Sequence, residues 1–161
     1  ALVNLTQLKA GETILDPFCG TGGFLIEAGL MGMKLIGSDI SNNMILGCKK
    51  NLSYYQLQAF DLITCDVTDL VERIGQSVDG IITDLPYGKA TSTQGESISS
   101  LYHRAMNSIQ LLLKPGKRAV IGSFSKDLID TEYTCLQHCK SYPLRVHQSL
   151  TRWFHVFTKR P

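Results

Sequence analysis

The chain is predicted to fold as an α/β domain: a mostly parallel, seven-stranded sheet with helices on both faces and a C-terminal antiparallel hairpin. Three observations lead there. Short apolar runs alternate with stretches of helical spacing, the pattern of parallel strands joined by crossovers. Two of these runs end in unusual junctions, Asp16-Pro17-Phe18-Cys19-Gly20-Thr21-Gly22-Gly23 and Asp84-Leu85-Pro86-Tyr87. Two β-rich runs, Arg145 to Leu150 and Trp153 to Thr158, then follow one another with only Thr151-Arg152 between them, which suggests a hairpin at the sheet edge.

Taken in order, Thr13-Ile14-Leu15 is the first strand, entered from a turn at Lys9-Ala10-Gly11-Glu12. Gly23 to Met31 places Phe24, Leu25, Ala28 and Met31 at helical spacing. Lys34 to Ser38 is the second strand, followed by a helix from Ser41 to Tyr54 with Ser41 or Asn42 as its N-cap. Asp61 to Cys65, a short helix at Leu70 to Ile74, and the strand Val78 to Thr83 come next. Lys89 to Ser97 is a polar loop of the kind that stays mobile until substrate arrives. Ile98 to Leu113 is an amphipathic helix stopped by Lys114-Pro115-Gly116-Lys117. Arg118 to Phe124 is a fifth strand, and Asp127 to Cys139 a further helix before the hairpin.

Composition narrows the class. At 161 residues the chain suffices for one domain with a real core, and 43% hydrophobic against 19% charged residues is a globular balance, not a disordered one. No apolar stretch is long enough to span a membrane, and no signal peptide is visible. The odd count of five cysteines then reads as reduced thiols in a cytoplasmic protein. Cys135-x-x-His138-Cys139 is expected on a helix with no second ligand pair, so no metal is expected. A net charge of +2 does not by itself argue for nucleic acid, and basic residues such as Lys117, Arg145, Arg152 and Arg160 read mostly as solvated surface charges. The opening Ala1-Leu2-Val3-Asn4-Leu5 reads as the tail of a helix, which makes the chain an excised domain.

The first junction suits a cofactor. Gly20, Gly22 and Gly23 let the backbone approach a ligand and present a helix N-terminus to an anionic group. A nicotinamide enzyme would need a third glycine where Leu25 stands. Asp16 would repel a pyrophosphate but could pair with the ammonium or sulfonium of S-adenosylmethionine, with Pro17 and Phe18 shaping the same loop. Asp39 ends the second strand some twenty residues past the glycines, where an acid can accept both ribose hydroxyls, with Ile40 beside it. Asp66 could accept from an adenine amino group with Val67 beside the ring, although Asp66 and Asp39 could each serve as simple helix caps.

The second junction suits an acceptor amine. A planar exocyclic amine is a poor nucleophile because its lone pair is delocalised. If the Asp84 carboxylate and the Leu85 carbonyl each accept one N–H, the nitrogen can pyramidalise toward the methyl group, and the anion stabilises the charge that develops. Pro86 restricts the backbone and Tyr87 offers a stacking face for a base, flipped out of a helix if need be. The histidines have no acid or nucleophile at an informative spacing.

A mostly parallel sheet with such a C-terminal hairpin is the class I methyltransferase plan. The string from Asp16 through Ala28, preceded by Ala1 to Leu5 and followed by Asp84 to Gly88, resembles the catalytic domain of the tRNA guanosine-10 N2-methyltransferases of archaea and eukaryotes. The resemblance implies a Rossmann-like fold, S-adenosylmethionine as donor, and the N2 amine of a tRNA guanosine as acceptor. It also implies an N-terminal THUMP-containing region for docking tRNA, which the 161 residues do not include. The family pattern has proline where this chain has Leu85, a change that keeps the backbone carbonyl. Other readings stay open: methylation of adenine N6 or of an rRNA guanine, protein-glutamine methylation, or a cofactor-binding module inactive without its tRNA-docking partner.

Overall fold

Neighbouring residues of the central strands pack on opposite sides of one sheet. Ile14, Leu35, Ile82 and Val120 join one buried cluster, whereas Leu15, Ile36, Ile81, Ala119 and Ile121 join another. This two-residue period, apolar on both faces, is what a parallel sheet covered by helices on each side requires. The computed structural model describes residues 2–86, 97–126, 133, 135–147 and 150–161.

The strands are β1 (Thr13–Asp16), β2 (Lys34–Asp39), β3 (Phe60–Thr64), β4 (Val78–Asp84), β5 (Leu113–Ser123), β6 (Leu136–His147) and β7 (Leu150–Lys159). They form a seven-stranded sheet in the order β3-β2-β1-β4-β5-β7-β6. β1 to β5 are parallel, and β7 runs antiparallel to both β5 and β6. Helices α1 (Gly23–Leu30) and α2 (Asn42–Tyr54) contribute Leu25, Ala28, Cys48 and Leu52 to one face. Helices α3 (Leu70–Ile74) and α4 (Ile98–Leu112) cover the other. In α4 the apolar stripe Leu101, Ala105, Met106, Ile109 and Leu112 is buried, and the Ser97 hydroxyl accepts the Ser100 amide at 3.2 Å to start the helix.

Four expectations are corrected. Leu136 to Cys139 belongs to β6, not to a helix: the edge of β7 offers a hydrogen-bonding ladder that pairs Leu136 with Lys159 and His138 with Phe157. Tertiary pairing outweighs the local helical spacing there, while positions 127–132 and 134 lie outside the described residues. Pro143 fits β6 because that strand is at the sheet edge. Cys135, His138 and Cys139 therefore share no helix face, and no metal-ligating cluster forms among the described residues.

Second, Thr151-Arg152 is not the hairpin connection. Both residues lie within β7, opposite Arg145 and Leu144, and the pairing of the two strands runs to His147 opposite Leu150. Third, Lys114 to Lys117 ends α4 as expected but does not separate it from the next strand. Leu113 opposite Val78 already begins β5, and the four residues bulge out before Arg118 pairs with Gly80. Fourth, the N-terminal segment is one 3-10 turn, Val3–Thr6, closed by Gln7 in the left-handed region. Among the described residues no helix is long and apolar enough to cross a membrane.

Candidate active site

The sheet order reverses at β1, which continues to β2 on one side and neighbours β4 on the other. Ligands of open α/β sheets bind in the crevice at the carboxyl ends of strands flanking such a switch. Asp16 ends β1, Asp39 ends β2 and Asp84 ends β4, so the topology gathers three of the expected acids at one end.

Asp16 is 2% exposed. Its Oδ1 accepts the Thr83 hydroxyl at 2.7 Å and the Phe18 amide at 3.1 Å, tying β1 to β4 across the switch. Burial pushes its carboxyl up to about 7 against these two bonds, with the charges of Asp84 and Asp39 adding to the effect. The Pro17 carbonyl accepts the Ser38 hydroxyl at 3.0 Å, and the Cys19 amide donates to the Ser38 carbonyl at 2.8 Å. The loop is thus fastened to β2. Gly22 has φ of +92°, and a Cβ there would sit 2.6 Å from the Cys48 sulfur of α2. Only glycine fits this close approach.

Asp39 supports the loop as well as facing the crevice. Its Oδ2 accepts the Gly20 amide at 3.1 Å and its Oδ1 the Ser41 amide at 2.8 Å. The Gly22 amide donates to the Cys19 carbonyl at 2.8 Å. The Gly20 and Gly22 amides are therefore used inside the loop, and an anionic group would meet the first-turn amides of α1 from Gly23 onward. Ile40, 41% exposed, leaves an apolar surface beside Asp39.

Asp66 stands apart from this network. Its Oδ1 accepts the Thr68 amide at 2.8 Å, the capping role, and also pairs with Arg104 of α4 at 2.5 Å. Although burial acts to raise it, these bonds hold its carboxyl below the usual range. Val67 is turned into the core beside Leu70.

The Asp84 loop is held from three sides. The Leu85 amide donates to the Gly122 carbonyl at 2.9 Å, and Tyr102 of α4 donates its hydroxyl to the Pro86 carbonyl at 2.9 Å. Burial pushes the Tyr102 phenol up to about 12, so it remains a neutral donor. From β7, Arg152 Nη2 donates to Asp84 Oδ1 and, at 3.0 Å, to the Leu85 carbonyl. Tyr87 and Gly88 lie outside the described residues, as does most of the polar loop that follows.

Residues 1–152 match the family model described as RMKL-like, methyltransferase domain. The chain belongs to this methyltransferase family. A tRNA (guanine(10)-N2)-dimethyltransferase of Methanothermobacter thermautotrophicus is 41% identical over 98% of this chain and 47% of its own length. The enzyme of the same name from Pyrococcus abyssi is 40% identical over 99% of this chain and 48% of its own. The chain thus spans about half the length of these relatives. The crystal structure of TrmN from Thermus thermophilus superposes with a TM-score of 0.86 at 19% identity, over 98% of this chain and 47% of that one. It shares the fold of this RMKL-like domain.

Sequence reasoning missed two members of the site. Arg152 reads as a solvated charge but is 3% exposed. The available signal was the two-residue period of β7, which puts Arg152 on the face of Phe154 and Val156, both buried. Tyr102 lies on the buried face of α4, and nothing local in the sequence reveals that its hydroxyl reaches Pro86.

Proposed function

We propose that this domain transfers a methyl group from S-adenosylmethionine to the exocyclic N2 amine of a guanosine in tRNA. One observation carries the reading: a single planar NH2 group, Nη2 of Arg152, donates to both Asp84 Oδ1 and the Leu85 carbonyl. The two acceptors are therefore spaced to engage both hydrogens of an sp2 amine, which is what a nucleobase amine presents. Each oxygen has a second lone pair for that task.

The residues of the first junction fit the donor. The buried Asp16 carboxylate complements a cationic group, Gly22 lets the loop pack against Cys48 of α2, and Asp39 and Ile40 supply a hydroxyl acceptor beside an apolar surface. Asp66 and Val67 would receive the adenine, with Asp66 accepting from its amino group. The cofactor supplies an electrophilic methyl group on a sulfonium when bound.

Asp84 and Leu85 then hold the amine so that its lone pair points along the transfer line, and this alignment carries much of the rate. The Asp84 anion opposes the positive charge that grows on the nitrogen and takes the proton released afterwards. Pro86, pinned by Tyr102, stiffens the loop, and Tyr87 stacks on the target base. Adenine N6 offers the same pair of hydrogens. The printed names of the relatives support guanine.

Asp84→Ala tests the assignment. Methyl transfer should fall by about 100- to 1,000-fold, the usual cost of one such electrostatic group, while cofactor affinity stays at the wild-type value. An Asp84→Ala protein with full transfer activity refutes it.

A further inference from the structure

We infer that Arg152 is a positioning residue that sets the spacing of the two amine acceptors from behind the site. The inference rests on the role proposed for Asp84 and Leu85. Exposure separates the two sides of the contact: the Arg152 side chain is 3% accessible, whereas that of Asp84 is 39% accessible. The guanidinium thus approaches the acceptors from the protein interior, and the carboxylate keeps an open side toward the crevice. A target amine approaching from that open side would repeat, on the outer lone pairs, the pair of contacts that Nη2 makes on the inner ones.

The path of the side chain supports this. Arg152 lies on β7, and β5 separates that strand from β4 and its terminal Asp84. The residue of β5 paired with Asp84 is Gly122, and a Cβ on Gly122 would run into the Asp84 carboxylate and come within 2.8 Å of Phe154. Glycine leaves the lane open at the point where Asp84 and β7 come together. The Gly122 carbonyl meanwhile receives the Leu85 amide, so both groups that set the acceptors are held by one short stretch of β5 and β7.

Arginine is suited to the role where lysine is not. One guanidinium nitrogen carries two coplanar N–H groups at a fixed angle, so it dictates the distance between the oxygens it joins. An ammonium is a point charge on a flexible stem and dictates none. A buried ion pair alone is weak evidence for stabilisation, and spacing gives this one a purpose.

The test compares Arg152→Lys and Arg152→Met in the protein. Single-turnover transfer, KM for tRNA, cofactor affinity and thermal unfolding are measured for each. Arg152→Lys should fold and bind cofactor as the wild type does, with KM for tRNA within about threefold and the transfer rate reduced about 100-fold, the scale of a 1 Å misplacement. Arg152→Met, should it fold, is expected to lose at least as much. In an Asp84→Ala background the Lys substitution should cost less than it costs alone, because only the Leu85 carbonyl remains for it to misplace.

Wild-type transfer by a folded Arg152→Lys overturns the inference, as do losses that multiply in the double variant. Loss of transfer in proportion to loss of cofactor binding also overturns it, since that marks a purely structural role. A wild-type protein that methylates no nucleobase amine refutes the functional reading itself and removes the basis of this inference with it.

Discussion

Cofactor affinity should depend on pH through Asp16. In the free protein burial raises this carboxyl from its ordinary 3.8 to about 7, so near neutrality it is half protonated. A cationic cofactor prefers the carboxylate, and below pH 7 binding must expel one proton. Between pH 7 and pH 5.5 the ionised fraction falls from one half to about 3%, so Kd should weaken about 15-fold, approaching tenfold per pH unit. The cofactor's amino group remains charged over this range, since α-amino groups titrate near 8. Stability of the cofactor-free protein runs the other way. Because the folded pKa lies above the unfolded one, folding takes up a proton between about pH 4 and pH 7, and stability drops as pH rises through that window. Asp16→Asn should bind the cofactor weakly with a flat pH profile, and it should lose the stability slope. Calorimetric titration in two buffers of different ionisation enthalpy counts the protons released. A Kd that is constant from pH 5.5 to 7, with no proton release, refutes the role given to Asp16.

Other perturbations have equally definite outcomes. Gly22→Ala should lower the melting temperature and cofactor affinity together, because its Cβ meets the Cys48 sulfur at 2.6 Å and its φ of +92° is strained for alanine. Adding Cys48→Ala should recover only part of the loss, since the backbone strain persists. Tyr102→Phe removes the hydrogen bond to the Pro86 carbonyl and should cost about 1 kcal/mol of stability in urea unfolding, with a lower transfer rate from a looser Asp84 loop. Arg104→Met should cost less than about 1 kcal/mol, because its pair with Asp66 is about one-third exposed on each side. It should also raise the Asp66 pKa, measurable by NMR titration.

The parallel half of the fold was legible in the sequence because its strands carry apolar residues on both faces at their centres and its helices a clear period. The short helix Leu70–Ile74 lies where its spacing places it, and Asp16, Asp39 and Asp84 close their strands as expected. Their common location follows from strand order, which short crossovers and one switch point make nearly inevitable. The C-terminal hairpin was harder. Leu136 to Cys139 has no β-branched residue and takes its strand conformation from the edge of β7, a partner that lies downstream. Arg152 was obscured for a related reason: its charge argues for solvent, and its partner is 68 residues away in the chain. Only the alternation of β7 points inward, and that clue has weight only once the boundaries of the strand are known.

The most direct test of the central claim removes the acceptor amine from the substrate. Unmodified tRNA and the same tRNA with inosine in place of guanosine 10, which differs by the missing N2 amine, are incubated with the full-length protein and labelled S-adenosylmethionine, and the labelled nucleosides are separated by chromatography. Label in N2-methylguanosine from the first tRNA and none from the second is the expected result. Label recovered in N6-methyladenosine, or no label in N2-methylguanosine from the first tRNA, contradicts the claim.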